Sequence, residues 1–288
     1  MSDYLSDHLD VALIVAAALW GAAAGAVLPR AAYRFSVPPG EEWRTACPAG
    51  HPVGGWLGRA RCGPCADPSY GPGADLSHGP GVDLSHGTGT GPSHGPGADP
   101  SYGPGVGPSY GPGAAPAAVT ALVCAALAAA TGTRPELGVW LLLAPVGVLL
   151  AVVDFRVQRL PDPLTLPFAG AALTLLGLAA LTPEHAGEWT TALLGALALG
   201  AAYFVLFLVN PAGMGFGDVK LALGAGAVLG WYGWPTVMLG TLAGFVFGAL
   251  YGGALVVARK AGRKTAIPFG PFLISGAFAG LLIGAYTA

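Results

Sequence analysis

Two aspartates lie where long apolar runs meet polar sequence. Asp154 follows the apolar run 149–153, and Asp218 precedes the mostly apolar run 219–223. When two carboxyl groups lie side by side, one keeps its proton while the other is charged, and they titrate as a unit. The charged group can take a proton from a water that attacks a carbonyl carbon, while the protonated group donates to the carbonyl oxygen. Such a pair would hydrolyse a peptide bond without a metal ion.

The composition places these acids in a membrane protein. Of the 288 residues, 53% are hydrophobic and only 10% are charged, with a mean hydropathy of +0.61. Soluble domains contain about 25% charged residues, so an ordinary soluble enzyme is excluded. A net charge of -2 with 13 Lys and Arg gives no basic face for a nucleic acid, and none is expected as a partner. The bilayer is the expected partner, because acids near lipid are costly and indicate function.

The apolar runs predict an all-α, polytopic transmembrane helical bundle of about eight spans. The runs are 11–28, 117–132, 137–153, 164–182, 190–209, 219–234, 236–257 and 267–286. With eight spans, all basic residues except Arg134 fall on one side, which predicts that this side is cytoplasmic. Asp154 and Asp218 then share one depth at the cytoplasmic face, where two spans packed side by side would bring them together. Alternatively, each acid caps a helix or lies at the headgroup level.

A small insertion interrupts the bundle after the first span. Residues 67–114 form six copies of an eight-residue unit such as DPSYGPGA, which is too rich in Gly and Pro to form a core and predicts a disordered tether. The predicted division is a first span (1–28), a cytoplasmic Cys/His insertion (29–66), the octad repeat (67–116) and a transmembrane peptidase domain (117–288).

The insertion contains a candidate metal site. Cys62 and Cys65 form a Cys-x-x-Cys pair, and Cys47 and His51 precede it. Three thiolates and an imidazole can fill a tetrahedral zinc site. A redox pair or a vestigial site is the alternative interpretation.

Three motifs around the two acids resemble those of the prepilin peptidases, the type IV leader peptidases of the Gly-x-Gly-Asp membrane aspartyl protease group. They are Asp154 with the Leu-Pro-Asp-Pro-Leu-Thr of 160–165, the Gly-Met-Gly-Phe-Gly-Asp-Val-Lys-Leu of 213–221, and the Ile-Pro-Phe-Gly-Pro-Phe of 267–272. The resemblance covers about 137–286. It implies that Asp154 and Asp218 are catalytic and that Gly215, Gly217 and Lys220 bind substrate or shape the site.

The resemblance also implies the reaction, its place and its cofactors. The substrates would be prepilins or pseudopilins, cut after the Gly that ends the leader, at the cytoplasmic side of a multi-pass protein of the bacterial inner membrane. The peptidase needs no cofactor. Bifunctional members also methylate the new amino terminus with S-adenosylmethionine. Here His51 replaces a Cys and the octad repeat follows the second Cys pair, so S-adenosylmethionine is expected only if that activity is retained.

The roles of two neighbouring residues, Asp162 and Lys220, stay open, and so do two other classes of function. Asp162, before Pro163, is interpreted as the N-cap of a helix. Lys220 either tunes a carboxylate or binds a substrate carbonyl, or else anchors the chain at the interface. An ion- or proton-coupled transporter could use the same acids, although transporter sites lie near the bilayer midplane. A membrane-anchored zinc scaffold acting only through residues 29–116 is the third possibility.

Overall fold

The computed structural model describes residues 2–38, 40–66, 110–211, 213–258 and 268–288. These residues form helices α1 (Ser2–Ala26), α2 (Leu28–Phe35), α3 (Gly63–Ala66), α4 (Ala115–Thr131), α5 (Glu136–Val157), α6 (Asp162–Ala179), α7 (Trp189–Val209), α8 (Phe216–Gly230), α9 (Trp234–Val257) and α10 (Gly270–Thr287). Within the described ranges no strand forms, and β-pairing is limited to isolated bridges such as the one between Ala46 and Pro52. The predicted all-α fold is confirmed.

Eight of these helices correspond to the eight predicted spans. Six contain a stretch that is long and apolar enough to cross a membrane: the part of α1 from His8 to Ala26, and α5, α6, α7, α9 and α10. The apolar helix α4 has 17 residues, and α8 has 15. Most residues of α8 are buried, which is expected for a short helix surrounded by longer ones. The chain is a multi-pass membrane protein.

The helix ends meet at two faces of the bundle. At one face, the start of α10 contacts the end of α5 through Gly270 and Asp154, whose backbone N–H and carboxylate form a hydrogen bond. At the other, Glu136 in the first turn of α5 accepts a hydrogen bond from the Tyr232 hydroxyl at 3.3 Å. We call the first face the basic end, because the loops and helix ends on that side contain Arg30, Arg34, Arg44, Arg59, Arg61, Arg156, Arg159 and Lys220. Arg134 lies at the opposite face.

Glycines bring α8 into backbone contact with α7. A Cβ at Gly226 would lie 2.3 Å from the Gly195 carbonyl oxygen, and one at Gly195 would lie 2.6 Å from the Gly226 oxygen. Small residues permit such close approach, and membrane helices associate largely through this packing. The α7–α8 contact therefore fixes the helix that carries Asp218.

We expect Gly226→Val to destabilise the bundle by about 3 kcal/mol, because the added side chain meets backbone that cannot move aside. The midpoint of thermal unfolding in detergent measures the loss of stability. Gly253→Val is the matched control, since Gly253 is also helical but a Cβ added there would have no heavy atom of another element within 4 Å. Equal midpoints for the two variants would contradict the close-packing account.

The insertion after α1 packs on the basic end of the bundle. The Arg34 guanidinium lies 4.0 Å from the centre of the Trp56 ring and donates to the Gly55 carbonyl at 2.7 Å. Arg159, just beyond α5, stacks on Trp43 at 4.9 Å. The predicted tether lies outside the described residues except for its last five, of which Tyr110 packs on the insertion and donates its backbone N–H to Ala60.

Candidate active site

Asp154 lies in the last turn of α5 and is almost fully buried, with 4% of its surface exposed. Its Oδ2 accepts a hydrogen bond of 3.0 Å from the backbone N–H of Gly270, the first residue of α10. A Cβ at position 270 would lie 2.7 Å from that same oxygen. Glycine is therefore required for the backbone to approach the carboxylate this closely.

Asp218 is the third residue of α8 and is also buried, with 7% of its surface exposed. Its Oδ2 accepts a hydrogen bond of 3.2 Å from the backbone N–H of Gly215, so it caps its own helix. The local contacts of the Asp218 side chain therefore fit the alternative interpretation, in which this acid caps a helix. A surface cap has no need of burial, however, and this carboxylate lies within a hydrophobic cluster containing Tyr203 and Val219.

The two acids lie at the same end of the bundle and close enough to interact electrostatically. The expectation that their two spans pack side by side is wrong, because α5 and α8 make no direct backbone contact. Helices α6 and α10 pack against both instead. Charge on one buried carboxyl disfavours charge on a neighbouring one.

Leu160 connects the segments that hold the two acids. A Cβ at Gly217 would lie 2.8 Å from the Leu160 Cβ, and one at Gly270 would lie 3.4 Å from the Leu160 Cδ1. Only glycine at 217 lets the α8 start approach this side chain. At Gly215 the nearest atom would be 3.6 Å from an added Cβ, so no steric reason requires glycine there.

Lys220 forms an ion pair with Asp162, with 2.6 Å between Nζ and Oδ1. The pair joins the first residue of α6 to the fifth residue of α8. Asp162 is the first helical residue, and Pro161 takes the N-cap position, so the predicted N-cap is displaced by one residue. Because Asp162 is 63% exposed, solvent screens the pair and its contribution to stability is small.

The sequence interpretation missed two residues of this site, Leu160 and Tyr203. Leu160 lies inside the Leu-Pro-Asp motif, but nothing in a single sequence distinguishes its side chain from other apolar ones. Tyr203, in the middle of α7, is buried and interacts electrostatically with Asp218. Its hydroxyl has no hydrogen-bond partner within the described residues. A tyrosine inside an apolar span, where a phenylalanine would pack as well, was the available signal.

The predicted metal-binding residues meet in the insertion. The ligand atoms of Cys47, His51, Cys62 and Cys65 all lie within 4.8 Å of one another. The Cys47 and Cys65 sulfurs are 3.8 Å apart, and the His51 Nδ1 lies 3.6 Å and 3.2 Å from them. Tetrahedral zinc with Zn–S bonds of about 2.3 Å separates two sulfurs by roughly 3.8 Å, so the donor set can hold a metal ion.

Local hydrogen bonds favour the thiolate form at one of these ligands. Burial raises the pKa of Cys47, but the backbone N–H groups of Ala49 and His51, with the side chains of His51 and Cys62, lower it to about 7. Metal binding requires a deprotonated thiol, so this ligand is well prepared for it. Cys124 is buried in α4, away from the cluster.

Comparison with known proteins shows similarity to one family over part of the chain. Residues 141–253 match the sequence model of the type IV leader peptidase family. Over 150 residues the chain is 35% identical to a prepilin leader peptidase/N-methyltransferase of Stutzerimonas stutzeri, covering 52% of this chain and 50% of that protein. It is 38% identical over 146 residues to the enzyme of that name from Aeromonas salmonicida, covering 50% and 48%.

A third relative, the prepilin leader peptidase/N-methyltransferase of Pseudomonas aeruginosa, is 34% identical over 173 residues, which cover 57% of this chain and 56% of that protein. The chain thus spans about half the length of the curated relatives it matches. No solved structure matches it significantly. The matched segment 141–253 contains both Asp154 and Asp218. The resemblance of this chain to the type IV leader peptidase family is confirmed by its sequence over residues 141–253.

Proposed function

We propose that this chain is an intramembrane aspartyl endopeptidase that removes the leader peptide from type IV prepilins or pseudopilins. One observation supports the proposal above all. Two buried carboxyl groups, at helix ends and within electrostatic reach of each other, lie inside the segment that matches the leader peptidases. The peptidase domain is proposed to be 117–288, which includes α4 to α10.

In this mechanism the two acids share one proton. The ionised carboxylate takes a proton from a water molecule, whose oxygen attacks the scissile carbonyl carbon, and the protonated carboxyl donates to the carbonyl oxygen. The leaving amine then takes up a proton and the peptide bond breaks. The Gly270 and Gly215 N–H groups hold one oxygen of each carboxylate, which leaves the other oxygen for water or substrate. Gly217 and Lys220 shape the site through Leu160 and Asp162.

The proposed place of the reaction is the cytoplasmic face of the bacterial inner membrane. All the described basic residues but Arg134 lie at the basic end, and cytoplasmic loops carry such an excess. The site is at this end as well. A leader peptide would approach from the cytosol, while the apolar part of the substrate stays in the bilayer.

Cleavage in vesicles tests the proposal. The purified chain, reconstituted into vesicles, is incubated with a prepilin that one of the relatives processes, and mass spectrometry identifies the new amino terminus. We expect a product shortened at the residue after the Gly that ends the leader. An intact substrate, under conditions in which the relative's enzyme cleaves it, would contradict the proposal.

The alternatives receive less support from the structure. Asp154 is in the last turn of α5 and Asp218 is in the first turn of α8, whereas transporter sites lie near the bilayer midplane. A scaffold acting through residues 29–116 does not account for the family match, which begins at residue 141. Deleting 29–116 while retaining cleavage would exclude the scaffold.

We also propose that Cys47, His51, Cys62 and Cys65 hold one structural zinc ion. Purified protein is expected to contain one zinc per chain by elemental analysis, and Cys65→Ser is expected to lose it, because a tetrahedral site with three ligands binds zinc weakly. Cys124→Ser is the control and should keep the ion. Equal zinc content in the two variants would contradict the site.

A methyltransferase step is proposed only as a vestigial second activity. The names of the relatives include N-methyltransferase, but their matches cover about half of each protein. S-adenosylmethionine is proposed as a cofactor only if assays detect methylation of the cleaved amino terminus.

Tyr203 is expected to assist cleavage through its buried hydroxyl. An unpartnered buried hydroxyl costs about 1–3 kcal/mol, and a water held between it and Asp218 would remove that cost. We expect Tyr203→Phe to lower kcat by about tenfold, the equivalent of one lost hydrogen bond, with KM and the unfolding midpoint unchanged. Tyr251→Phe is the control. A wild-type kcat in Tyr203→Phe would show that the hydroxyl has no part in the reaction.

A further inference from the structure

A long apolar cavity of about 450 Å³ lies between α4, α5, α8 and α10. Its wall on α5 extends from Trp140 to Arg156, roughly 24 Å of helix at 1.5 Å per residue. It therefore crosses most of a hydrocarbon core of about 30 Å. Among the described residues that line it, only Arg156 is charged, and this residue lies at the basic end.

The mouth of the cavity at the basic end is positively charged. Arg156 lies near enough to Arg44 for the two like charges to interact. Arg44 is held in place by Tyr33, whose carbonyl accepts its hydrogen bond at 3.2 Å and whose ring lies 4.8 Å below the guanidinium. Neither arginine forms an ion pair with a carboxylate in the part of the chain that the structure describes. Two neighbouring cations without a counter-charge attract an anion.

We propose that this cavity binds one anionic phospholipid, with an acyl chain in the apolar channel and its phosphate on Arg156 and Arg44. The charged mouth of the cavity matches the phosphate of such a lipid, and the apolar channel matches its acyl chain. Basic pockets between membrane helices can bind the anionic headgroups of lipids.

The lipid would also support the candidate active site. The cavity lies between α5 and α8, which do not contact each other directly, and Pro271 lines it next to the residue that binds Asp154. The binding itself does not depend on the proposed peptidase activity.

Native mass spectrometry of the full chain in detergent, with added phosphatidylglycerol or phosphatidylcholine, tests the proposal. Wild-type protein is expected to retain one phosphatidylglycerol at concentrations where phosphatidylcholine is lost. Arg156→Gln should weaken retention at least tenfold. Ala144→Phe, which places a ring in the cavity, should abolish it. Arg61→Gln is the matched control, because Arg61 is exposed at the same end but does not line the cavity.

Equal retention of the two lipids, or equal losses in Arg156→Gln and Arg61→Gln, would overturn the proposal in favour of general surface attraction. If Ala144→Phe does not fold, Gly147→Leu serves instead, since the nearest atom to an added Cβ there is 3.9 Å away. If the filled cavity keeps its lipid but slows prepilin cleavage, the cavity serves the substrate and the proposal is wrong. Wild-type cleavage in the same preparation reports separately on the proposed function.

Discussion

Asp218→Asn is expected to lower the rate of prepilin cleavage by about 10³-fold, the size of a general acid–base contribution. Asparagine has nearly the same shape, and its side-chain oxygen can still accept the Gly215 N–H, so the cap of α8 and the fold should persist. It cannot take a proton from water or share one with Asp154. The measurement is the initial rate in vesicles, together with the unfolding midpoint.

The control for this prediction is Glu184→Gln, which removes an exposed acid at the opposite end of the bundle. It should cleave at the wild-type rate. If Asp218→Asn also cleaves at that rate with an unchanged midpoint, Asp218 acts only as a helix cap, and the alternative interpretation of the sequence is the correct one.

Gly270→Ala is expected to slow cleavage by about 10²-fold, the effect of a misplacement of roughly 1 Å in a catalytic group. The new methyl group would lie 2.7 Å from the Asp154 Oδ2 and 3.4 Å from Leu160. Either the carboxylate moves or the start of α10 does, and both changes disturb the hydrogen bond that holds Asp154. The loss should appear in kcat more than in KM.

Gly248→Ala gives a matched control on α9, because its added methyl would contact Phe272 of α10 at an ordinary 3.6 Å. It is expected to leave kcat unchanged. A wild-type kcat in Gly270→Ala would mean that the α10 start does not position Asp154, and the role assigned to this glycine would be wrong.

The sequence predicted the fold well because the length of an apolar run is a strong signal. Backbone groups within lipid must form their hydrogen bonds inside the protein, and a helix does so within one segment. Long apolar runs such as 137–153 and 190–209 are therefore expected to be helical, and α5 and α7 cover them. The Cys and His spacing was equally informative, since the four predicted ligands do meet. Helix boundaries were less certain, as the one-residue displacement at Asp162 shows.

The arrangement of the helices around the acids could not be predicted in the same way. Hydropathy gives the depth of Asp154 and Asp218 but not which helices are neighbours, and α5 and α8 each pack against α6 and α10 rather than directly against each other. Leu160 and Tyr203 belong to the site through packing between helices that are distant in sequence. Such contacts depend on side-chain shape in three dimensions, which a periodic pattern along one chain does not encode.

The central claim is that Asp154 and Asp218 act as one catalytic unit. The most direct test compares initial cleavage rates in vesicles for Asp154→Asn, Asp218→Asn and the double variant. Groups that work as a unit give strongly non-additive losses. We predict that each single variant loses about 10³-fold and that the double variant loses no more than either. Losses that multiply in the double variant, or a single variant that keeps the wild-type rate, would contradict the account.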